Sequence, residues 1–165
     1  MTSATETTPS ASASERLRIL TSNNVIAMVG LSADPMRPSH FAAIYMQSEG
    51  YQIVPVNPKY AGQKILGETV YASLSDIPFK VDIVDVFRKP EECPGLAEEA
   101  AKIGAKVFWI QLGLESDEAG RIAKEAGLEF VQNRCVKIEH ARFFGGMNLI
   151  GLNTGVISGR RSLIR

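Results

Sequence analysis

The sequence is poor in cysteine and histidine and carries no net charge. Its two cysteines and two histidines are too few and too scattered for a structural zinc site or a disulfide framework, which indicates a reducing, cytoplasmic environment and no metal. Eighteen basic residues balance eighteen acidic ones, so the overall charge attracts neither nucleic acid nor an acidic membrane. No apolar run approaches the ~18 residues that a transmembrane helix needs. We therefore expect a soluble protein that binds neither nucleic acids nor membranes.

The residues that are present divide the chain into three parts. A length of 165 residues is typical of one domain. Residues 1–14 are rich in serine, threonine and alanine and are predicted to be a disordered tail without the features of a signal peptide. Residues 15–143 are predicted to form the domain. Residues 144–165 are rich in glycine and lack acids; we interpret them as an arm that packs on its own domain or on a second subunit, with a lid as the alternative.

The domain alternates short apolar runs with segments of helical periodicity. Continuous apolar runs of this length are typical of buried parallel strands, and their alternation with helices is typical of a doubly wound fold. We predict a Rossmann-like α/β domain with a mostly parallel sheet of five or six strands and helices on both faces. The predicted strands are Val25–Val29, Tyr51–Val56, Glu68–Tyr71, Val81–Phe87, Ala105–Ile110 and Leu128–Val131.

Capping residues mark the predicted helices. A short helix is predicted over Glu15–Leu20, and Ser39 is predicted as the N-cap of a helix that ends at Gly50. Proline or acidic residues at Pro90–Glu92 and Ser116–Glu118 predict two further helix starts. In the helix after Ser39, the residues predicted to share one face are Phe41, Ile44, Tyr45 and Ser48.

The loop after the first strand is a candidate phosphate site, because doubly wound folds bind ligands beyond the carboxyl ends of their strands. Of the G-x-G-x-x-G fingerprint of dinucleotide sites, only the first glycine, Gly30, is present. Ser32, the loop amides and the helix start at Ser39 can donate hydrogen bonds to a phosphate, and Arg37 adds positive charge. A turn and helix cap without a ligand is the alternative interpretation.

The loops after the next strands add cations and one amide. Lys59, with Asn57 and Pro58 before it, stands where a NAD site carries an acid, and a lysine there suits an additional phosphate on the ribose. An exposed surface lysine is the alternative. Arg88 and Lys89 lead into a helix whose first amides lack a side-chain cap and can face an anion.

The last strand-end segment contains Trp109 and Gln111. Gln111 can contact the edge of a base, whereas Trp109 is predicted to pack in the core rather than to stack on an adenine. Together, the strand-end segments predict a site for an anionic nucleotide that carries more charge than ADP.

Five segments in this order also resemble those of a known family: Gly30–Pro35, Val54–Tyr60, Val81–Arg88, Trp109–Gly113 and Cys135–His140. They are similar to the stand-alone CoA-binding domains, a family that is itself similar to the N-terminal CoA-binding domain of the succinyl-CoA synthetase α-subunit. The similarity covers residues 17–143. It implies coenzyme A or an acyl-CoA as the ligand. The other domains of the synthetase do not fit within this chain.

The resemblance also implies which residues contact the ligand. The segment from Ser32 to Pro35 would lie against the diphosphate, although Ala33 and Pro35 leave it fewer flexible positions than the synthetase loop has. Lys59 would meet the nucleotide phosphates. The complete set of predicted binding residues is Gly30, Ser32, Ala33, Asp34, Pro35, Arg37, Ser39, Asn57, Pro58, Lys59, Val86, Phe87, Arg88, Lys89, Ile110, Gln111 and Leu112.

Cys135 is the one candidate for chemistry. Arg134 beside it favours a thiolate that can form a mixed disulfide with CoA, but Glu139, one helical turn away, opposes ionisation. His140 points in another direction on the helix, so the pair does not form a Cys-His dyad. Cys93 lies in the first turn of a predicted helix, where a packed thiol is the equal alternative to an activated one.

The sequence therefore favours a stand-alone module that binds CoA or acyl-CoA without autonomous catalysis. Two alternatives stay open. One is an enzyme, either NADP-binding or dependent on Cys135 for acyl or redox chemistry. The other is an oligomeric scaffold with a decayed nucleotide site, in which the arm of residues 144–165 forms the homo-oligomer.

Overall fold

A computed structural model describes residues 7–145, so residues 146–165 of the predicted arm lie outside the described part of the chain. The helices are α1 (Ala13–Ser22), α2 (Pro38–Ser48), α3 (Cys93–Lys102), α4 (Asp117–Glu125) and α5 (Val136–Phe144). The strands are β1 (Val25–Val29), β2 (Gln52–Val56), β3 (Lys64–Ile65), β4 (Glu68–Thr69), β5 (Ile83–Val86), β6 (Val107–Ile110) and β7 (Glu129–Val131).

Five strands form one parallel sheet in the order β2-β1-β5-β6-β7. This confirms the predicted Rossmann-like α/β fold. The segment predicted as a strand at Glu68–Tyr71 does not add a sixth strand, because β4 pairs antiparallel with β3 in a separate hairpin. Leu66 and Gly67 between them both have positive φ, 53° and 80°, which is the backbone of a tight hairpin turn. Tyr71 forms a parallel bridge to Val56 of the main sheet.

Helices cover both sides of the sheet. On the side that we call the three-helix face, α1, α2 and α5 pack around residues such as Ile83 and Trp109. On the opposite side, the two-helix face, α3 and α4 pack around residues such as Val84 and Phe108. Because successive side chains of a strand point to opposite faces, Asp85 of β5 belongs to the three-helix face.

α2 begins two residues earlier than the predicted N-cap at Ser39 implies. Pro38 occupies its first position and Arg37 is the N-cap, without a side-chain hydrogen bond. Proline is favoured at the first helical position because its φ is already helical and it has no N–H to satisfy. The prediction of Ser39 as N-cap is therefore wrong. Its hydroxyl instead accepts a hydrogen bond of 3.1 Å from the backbone N–H of Ser32.

The side of α2 that faces the sheet also differs from the prediction. Phe41 and Ile44, placed on one apolar face from the sequence, are 48% and 45% exposed. The buried positions include Ala42, Ala43 and Met46. Two alanines allow the helix axis to approach the sheet closely, so close packing and not the size of the side chains decides which face is buried.

The starts of α3 and α4 were predicted from different signals. Pro90–Glu92 forms a separate 3-10 turn, and α3 begins after it at Cys93. α4 begins at Asp117, within the predicted start at Ser116–Glu118; Ser116 is its N-cap, and its hydroxyl accepts a hydrogen bond of 3.2 Å from Ala119 N. A serine with a local partner fixes a helix boundary from sequence alone, whereas a proline also suits a 3-10 turn.

α1 extends into the segment that the sequence assigns to the tail. Ser12 and Glu15 form a reciprocal capping box at its start. The backbone N–H of Ala11 donates a 2.8 Å hydrogen bond to Phe130 O of β7. Residues 7–14 therefore lie along the domain. Their composition alone does not favour order, and long-range contacts of the backbone hold them in place.

Candidate functional site

The chain leaves β1 and β5 toward opposite faces of the sheet. After β1 it runs to α2 on the three-helix face, and after β5 it runs to α3 on the two-helix face. Neighbouring parallel strands with diverging connections leave a crevice beyond their carboxyl ends, where doubly wound folds bind ligands. Gly30 lies at this crevice with a φ of +89°, and a Cβ there would lie 2.8 Å from Arg88 Cδ. The positive φ therefore favours glycine at this position, and Arg88 would have to shift to admit a side chain.

The loop after β1 is ordered by its own polar groups. The Ser32 hydroxyl accepts a hydrogen bond of 3.1 Å from Asp34 N. The Asp34 carboxylate accepts one of 2.9 Å from Met36 N and lies 3.8 Å from Arg37 Nε. Asp34 therefore holds the loop and offsets the charge of Arg37. The residues exposed on this loop include Ala33, Asp34, Pro35 and Arg37.

Asn57 joins the loop after β2 to the loop after β1. It is buried, its Nδ2 donates a 3.1 Å hydrogen bond to Leu31 O, and its Oδ1 accepts one of 3.0 Å from Lys59 N. Because the backbone uses both ends of the amide, Asn57 acts here as an anchor. Pro58 starts the 3-10 turn that follows and so fixes the position from which the Lys59 side chain extends.

Lys59 and Tyr60 stand side by side at the end of β2. Among residues 7–145, no carboxylate pairs with the Lys59 ammonium, which lies 5.3 Å from the centroid of the Tyr60 ring. A hydrogen bond from the Ser32 side chain, with smaller contributions from Lys59 and the Ala33 backbone, lowers the pKa of Tyr60 below its ordinary value. Sequence reasoning missed Tyr60, because its meeting with Ser32 is a contact between separate loops.

Arg88 and Glu92 form an ion pair after β5. Arg88 Nη2 lies 2.9 Å from Glu92 Oε1, and the two side chains are 40% and 43% exposed. Lys89 precedes the adjoining 3-10 turn as its N-cap and makes no side-chain capping hydrogen bond. A cavity of about 200 Å³ opens next to the pair, on the two-helix side of β1. Its other lining residues are Val29, Gly30, Val56, Pro58, Ala72, Ser73, Leu74, Leu96 and Glu99.

Gln111 is buried in the structure and does not lie open at the sheet edge. It is 4% exposed, and its Nε2 donates a hydrogen bond of 2.5 Å to Asp85 Oδ1. Burial raises the pKa of Asp85 to about 8, with the hydrogen bond from Gln111 acting in the opposite direction. Among the described residues, Asp85 Oδ2 has no hydrogen-bond partner. The expected contact of Gln111 with a base edge would require this buried pair to open.

The other predicted residues of β5 and β6 divide between core and surface. Val86 and Ile110 are fully buried in the sheet, whereas Leu112 is 59% exposed. Phe87 is partly buried against the core of the three-helix face. Trp109 is fully buried and its Nε1 donates a 2.7 Å hydrogen bond to Arg134 O, which confirms its predicted place in the core.

The two cysteines differ in their surroundings. Cys135 is partly exposed at the start of α5. The neighbouring Arg134 lies 3.9 Å from Glu139 Oε1, and this carboxylate offsets part of the positive charge of Arg134. Cys93 is buried; burial above all, with Glu92 and Glu91 beside it, raises the pKa of its thiol to about 11. Cys93 is therefore a packed thiol.

His140 is fully buried, and its Nδ1 lies 2.9 Å from the Tyr45 hydroxyl. Within residues 7–145, no group of three or more His, Cys, Asp or Glu side chains is arranged to hold a metal ion. The described helices also include none with the length and apolar character needed to cross a bilayer.

The fold and the crevice define a class of protein, a Rossmann-like α/β domain with a crevice at the switch point of its parallel sheet, the place where such folds bind ligands. Comparison with known families gives the particular one. Residues 24–141 match the CoA-binding domain family, and the chain belongs to this family.

Known proteins resemble this chain in sequence or in fold. The uncharacterized protein YneT of Bacillus subtilis (strain 168) is 43% identical over 130 residues, which cover 79% of this chain and 95% of YneT. The solved structure of cell-free ID.343 from Thermus thermophilus is 36% identical with a TM-score of 0.76, and the match covers 80% of this chain and 98% of that one. Dinucleotide-forming acetyl-coenzyme A synthetase 1 of Ca. Korarchaeum cryptofilum, at 24% identity and a TM-score of 0.56, shares the fold over 67% of this chain and 26% of its own.

Proposed function

We propose that this protein binds coenzyme A or an acyl-CoA at the crevice between β1 and β5 and acts in the cytoplasm as a stand-alone module without autonomous catalysis. The observation that carries the proposal is the crevice itself, where Gly30 packs against Arg88 in a chain that belongs to the CoA-binding domain family. Lys59 at the neighbouring loop supplies a cation without a described carboxylate partner.

The chemistry of the crevice suits the nucleotide part of CoA. Apolar walls such as Val56 and Leu74 suit a base or ribose in the cavity of about 200 Å³, and the cations suit phosphates. In the structure, the Arg88 guanidinium is paired with the Glu92 carboxylate. Because both side chains are exposed, the ion pair contributes little to stability, and a phosphate can replace Glu92 as the partner of the guanidinium.

The absence of autonomous catalysis in the proposal rests on the surroundings of the one candidate nucleophile. Arg134 lies 3.9 Å from Glu139 Oε1, a carboxylate that offsets the charge by which Arg134 would favour a Cys135 thiolate. His140 is buried against Tyr45, so it does not serve as a base for the thiol.

Calorimetric titration with CoA and with dephospho-CoA tests the proposal. If Lys59 contacts the 3′-phosphate, removal of that phosphate should weaken binding about tenfold or more, because the lost hydrogen bond involves charged groups. In Lys59→Ala, CoA and dephospho-CoA should bind alike. Lys80→Ala removes an exposed lysine before the opposite end of β5 and should behave as the wild type. No binding of CoA to the wild type would overturn the proposal, and equal binding of both ligands would overturn the role of Lys59.

NADP is the second candidate, and the observation that favours it is the same lysine at the end of β2. NADP carries a ribose phosphate that a lysine suits. The same titration with NADP decides between the two nucleotides: tight binding of NADP and none of CoA would replace the first proposal.

We further propose that residues 144–165 mediate a homo-oligomer. Light scattering on the full chain and on a chain that ends at residue 145 tests this, and an unchanged molar mass per particle, allowing for the deleted residues, would contradict it.

A further inference from the structure

The outer face of α2 is apolar although it is exposed in the structure. Phe41 and Ile44 lie one turn apart on the same side of the helix and are 48% and 45% exposed, and Met36 just before the helix is 77% exposed. The opposite side of α2 packs on the sheet through residues such as Ala42 and Met46. α2 is therefore apolar on two sides, which is typical of a helix that is covered on both.

The helix also lacks the charged residues of a solvated surface. Its 11 residues, Pro38–Ser48, include no Asp, Glu, Lys or Arg, and its one histidine, His40, is buried. α4 shows the contrast, because its exposed positions include Glu118, Arg121 and Glu125. A contiguous apolar surface without charge is typical of an interaction site, so the outer face of α2 is a candidate docking surface.

The described chain ends beside this helix. α5 packs against α2, with His140 Nδ1 at 2.9 Å from the Tyr45 hydroxyl, and the described residues end one position beyond α5. Residues 146–165 follow, and they contain apolar pairs such as Leu149 and Ile150 but no acid. Their fully extended length is roughly 66 Å, about four times the length of α2. This segment is apolar enough to cover the outer face of α2 and long enough to reach a neighbouring copy.

We propose that the outer face of α2, formed by Phe41 and Ile44, is the docking surface for residues 146–165 of a second copy of this chain. The inference rests on the proposed homo-oligomer, because it names the surface on which the arm docks. In an exchange about a two-fold axis the same contact occurs twice, so each copy covers the α2 face of its partner.

The first test compares Ile44→Lys with Ile138→Lys in the full chain. Ile138 on α5 is the matched control, because it is an isoleucine on a neighbouring helix and is 47% exposed. Light scattering over a dilution series should show a dissociation constant about tenfold or more higher for Ile44→Lys, because the apolar side chain is no longer buried on assembly. Ile138→Lys should assemble as the wild type. Circular dichroism checks that both variants are folded.

The second test identifies what covers the face. A benzophenone photo-crosslinker replaces Phe41, and isotopically labelled and unlabelled full chains are mixed before irradiation. Mass spectrometry of the digested product should find the crosslink in residues 146–165 of the other copy. A crosslink within the same copy, a crosslink to another segment, or none would overturn the inference.

The results separate this inference from the proposed function. If a chain that ends at residue 145 is monomeric but Ile44→Lys assembles as the wild type, the assignment to α2 is overturned while the arm-mediated oligomer stands. An equal effect of Ile44→Lys and Ile138→Lys overturns the assignment as well. A monomeric wild type overturns both the oligomer and its docking surface, and the titration with CoA decides about ligand binding independently.

Discussion

The two faces of the central sheet are held together by different physical means. On the two-helix face, α3 and α4 pack closely through small residues, and positions such as Ala97, Gly120 and Ala123 are buried there. On the three-helix face, charged groups are buried, among them Arg16 and Glu139. Close packing is sensitive to volume, whereas a buried charge is sensitive to the loss of its partner and to pH. The two faces should therefore fail under different changes.

The largest effect is expected for Glu139→Gln on the three-helix face. Arg16 Nε lies 2.9 Å from Glu139 Oε2, with side-chain exposures of 8% and 3%. Loss of the carboxylate leaves a buried guanidinium without its counter-charge, and the free energy of unfolding should fall by about 3–5 kcal/mol in urea denaturation. The control is Arg18→Gln, which breaks the exposed pair with Glu129 and should change the free energy of unfolding far less, because solvent screens exposed ion pairs. Equal losses in the two variants would contradict a special role of the buried pair.

The two-helix face should instead respond to a single methyl group. A Cβ at Gly120 would lie 2.5 Å from the Phe130 ring, so Gly120→Ala should lower the free energy of unfolding by about 1–3 kcal/mol through overpacking. Gly95→Ala is the matched control on α3, where a Cβ would meet nothing within 4 Å. It should be neutral or stabilise by up to about 1 kcal/mol. Stabilisation by both substitutions would show that α4 does not pack as closely as the structure indicates.

Asp85 should make the stability of the three-helix face depend on pH. Its pKa is raised from 3.8 to about 8 in the folded protein, so between these values the unfolded state loses a proton that the folded state keeps. The stability contribution is complete below about pH 4 and is lost as the pH rises toward 8, by roughly 1 kcal/mol per pH unit.

Asp85→Asn tests this directly, because asparagine cannot ionise and still offers Gln111 an oxygen. Urea denaturation from pH 5 to pH 8 should show a falling free energy of unfolding in the wild type and a flatter profile in the variant. Parallel profiles would show that Asp85 is not the group responsible.

What the sequence could predict depends on whether a feature is local or is formed by distant parts of the chain. The parallel strands, the start of α4 at Ser116–Glu118 and the core position of Trp109 follow from periodicity and from the acidic residues of a first helical turn, which a sequence displays directly. The orientation of α2 did not follow, because Phe41 and Ile44 were judged by their size and not by how closely alanines allow a helix to approach the sheet.

Contacts between distant parts of the chain were the hardest to predict. Arg16 and Glu139 are separated by 123 residues, and neither the spacing nor the composition of either segment indicates a partner. The candidate site shows the same division. Gly30 and Lys59 stand out at strand ends, but the burial of Gln111 on Asp85 and the approach of Tyr60 to Ser32 exist only once the loops have been folded together.

The reactivity of the two cysteines gives a direct comparison of the two faces. It also involves the smallest expected effect on stability. Cys93 is buried on the two-helix face and the pKa of its thiol is raised to about 11, whereas Cys135 is partly exposed. Because the thiolate is the reactive form, iodoacetamide at pH 8 should add one group to the native protein, and Cys135→Ser should remove it.

CoA disulfide extends the comparison to the alternative of a thiol enzyme. Attack of a Cys135 thiolate on the disulfide would leave a mixed disulfide on the protein and release one CoA thiolate. The measurement is intact mass, with Cys93→Ser as the control that should match the wild type. A CoA adduct that forms on Cys135 faster than on the same chain in urea would favour site-directed thiol chemistry. If the adduct forms on Cys135 no faster than in the unfolded chain, Cys135 is an ordinary exposed thiol. Modification of Cys93 in the native state would show that the two-helix face opens more readily than its packing indicates.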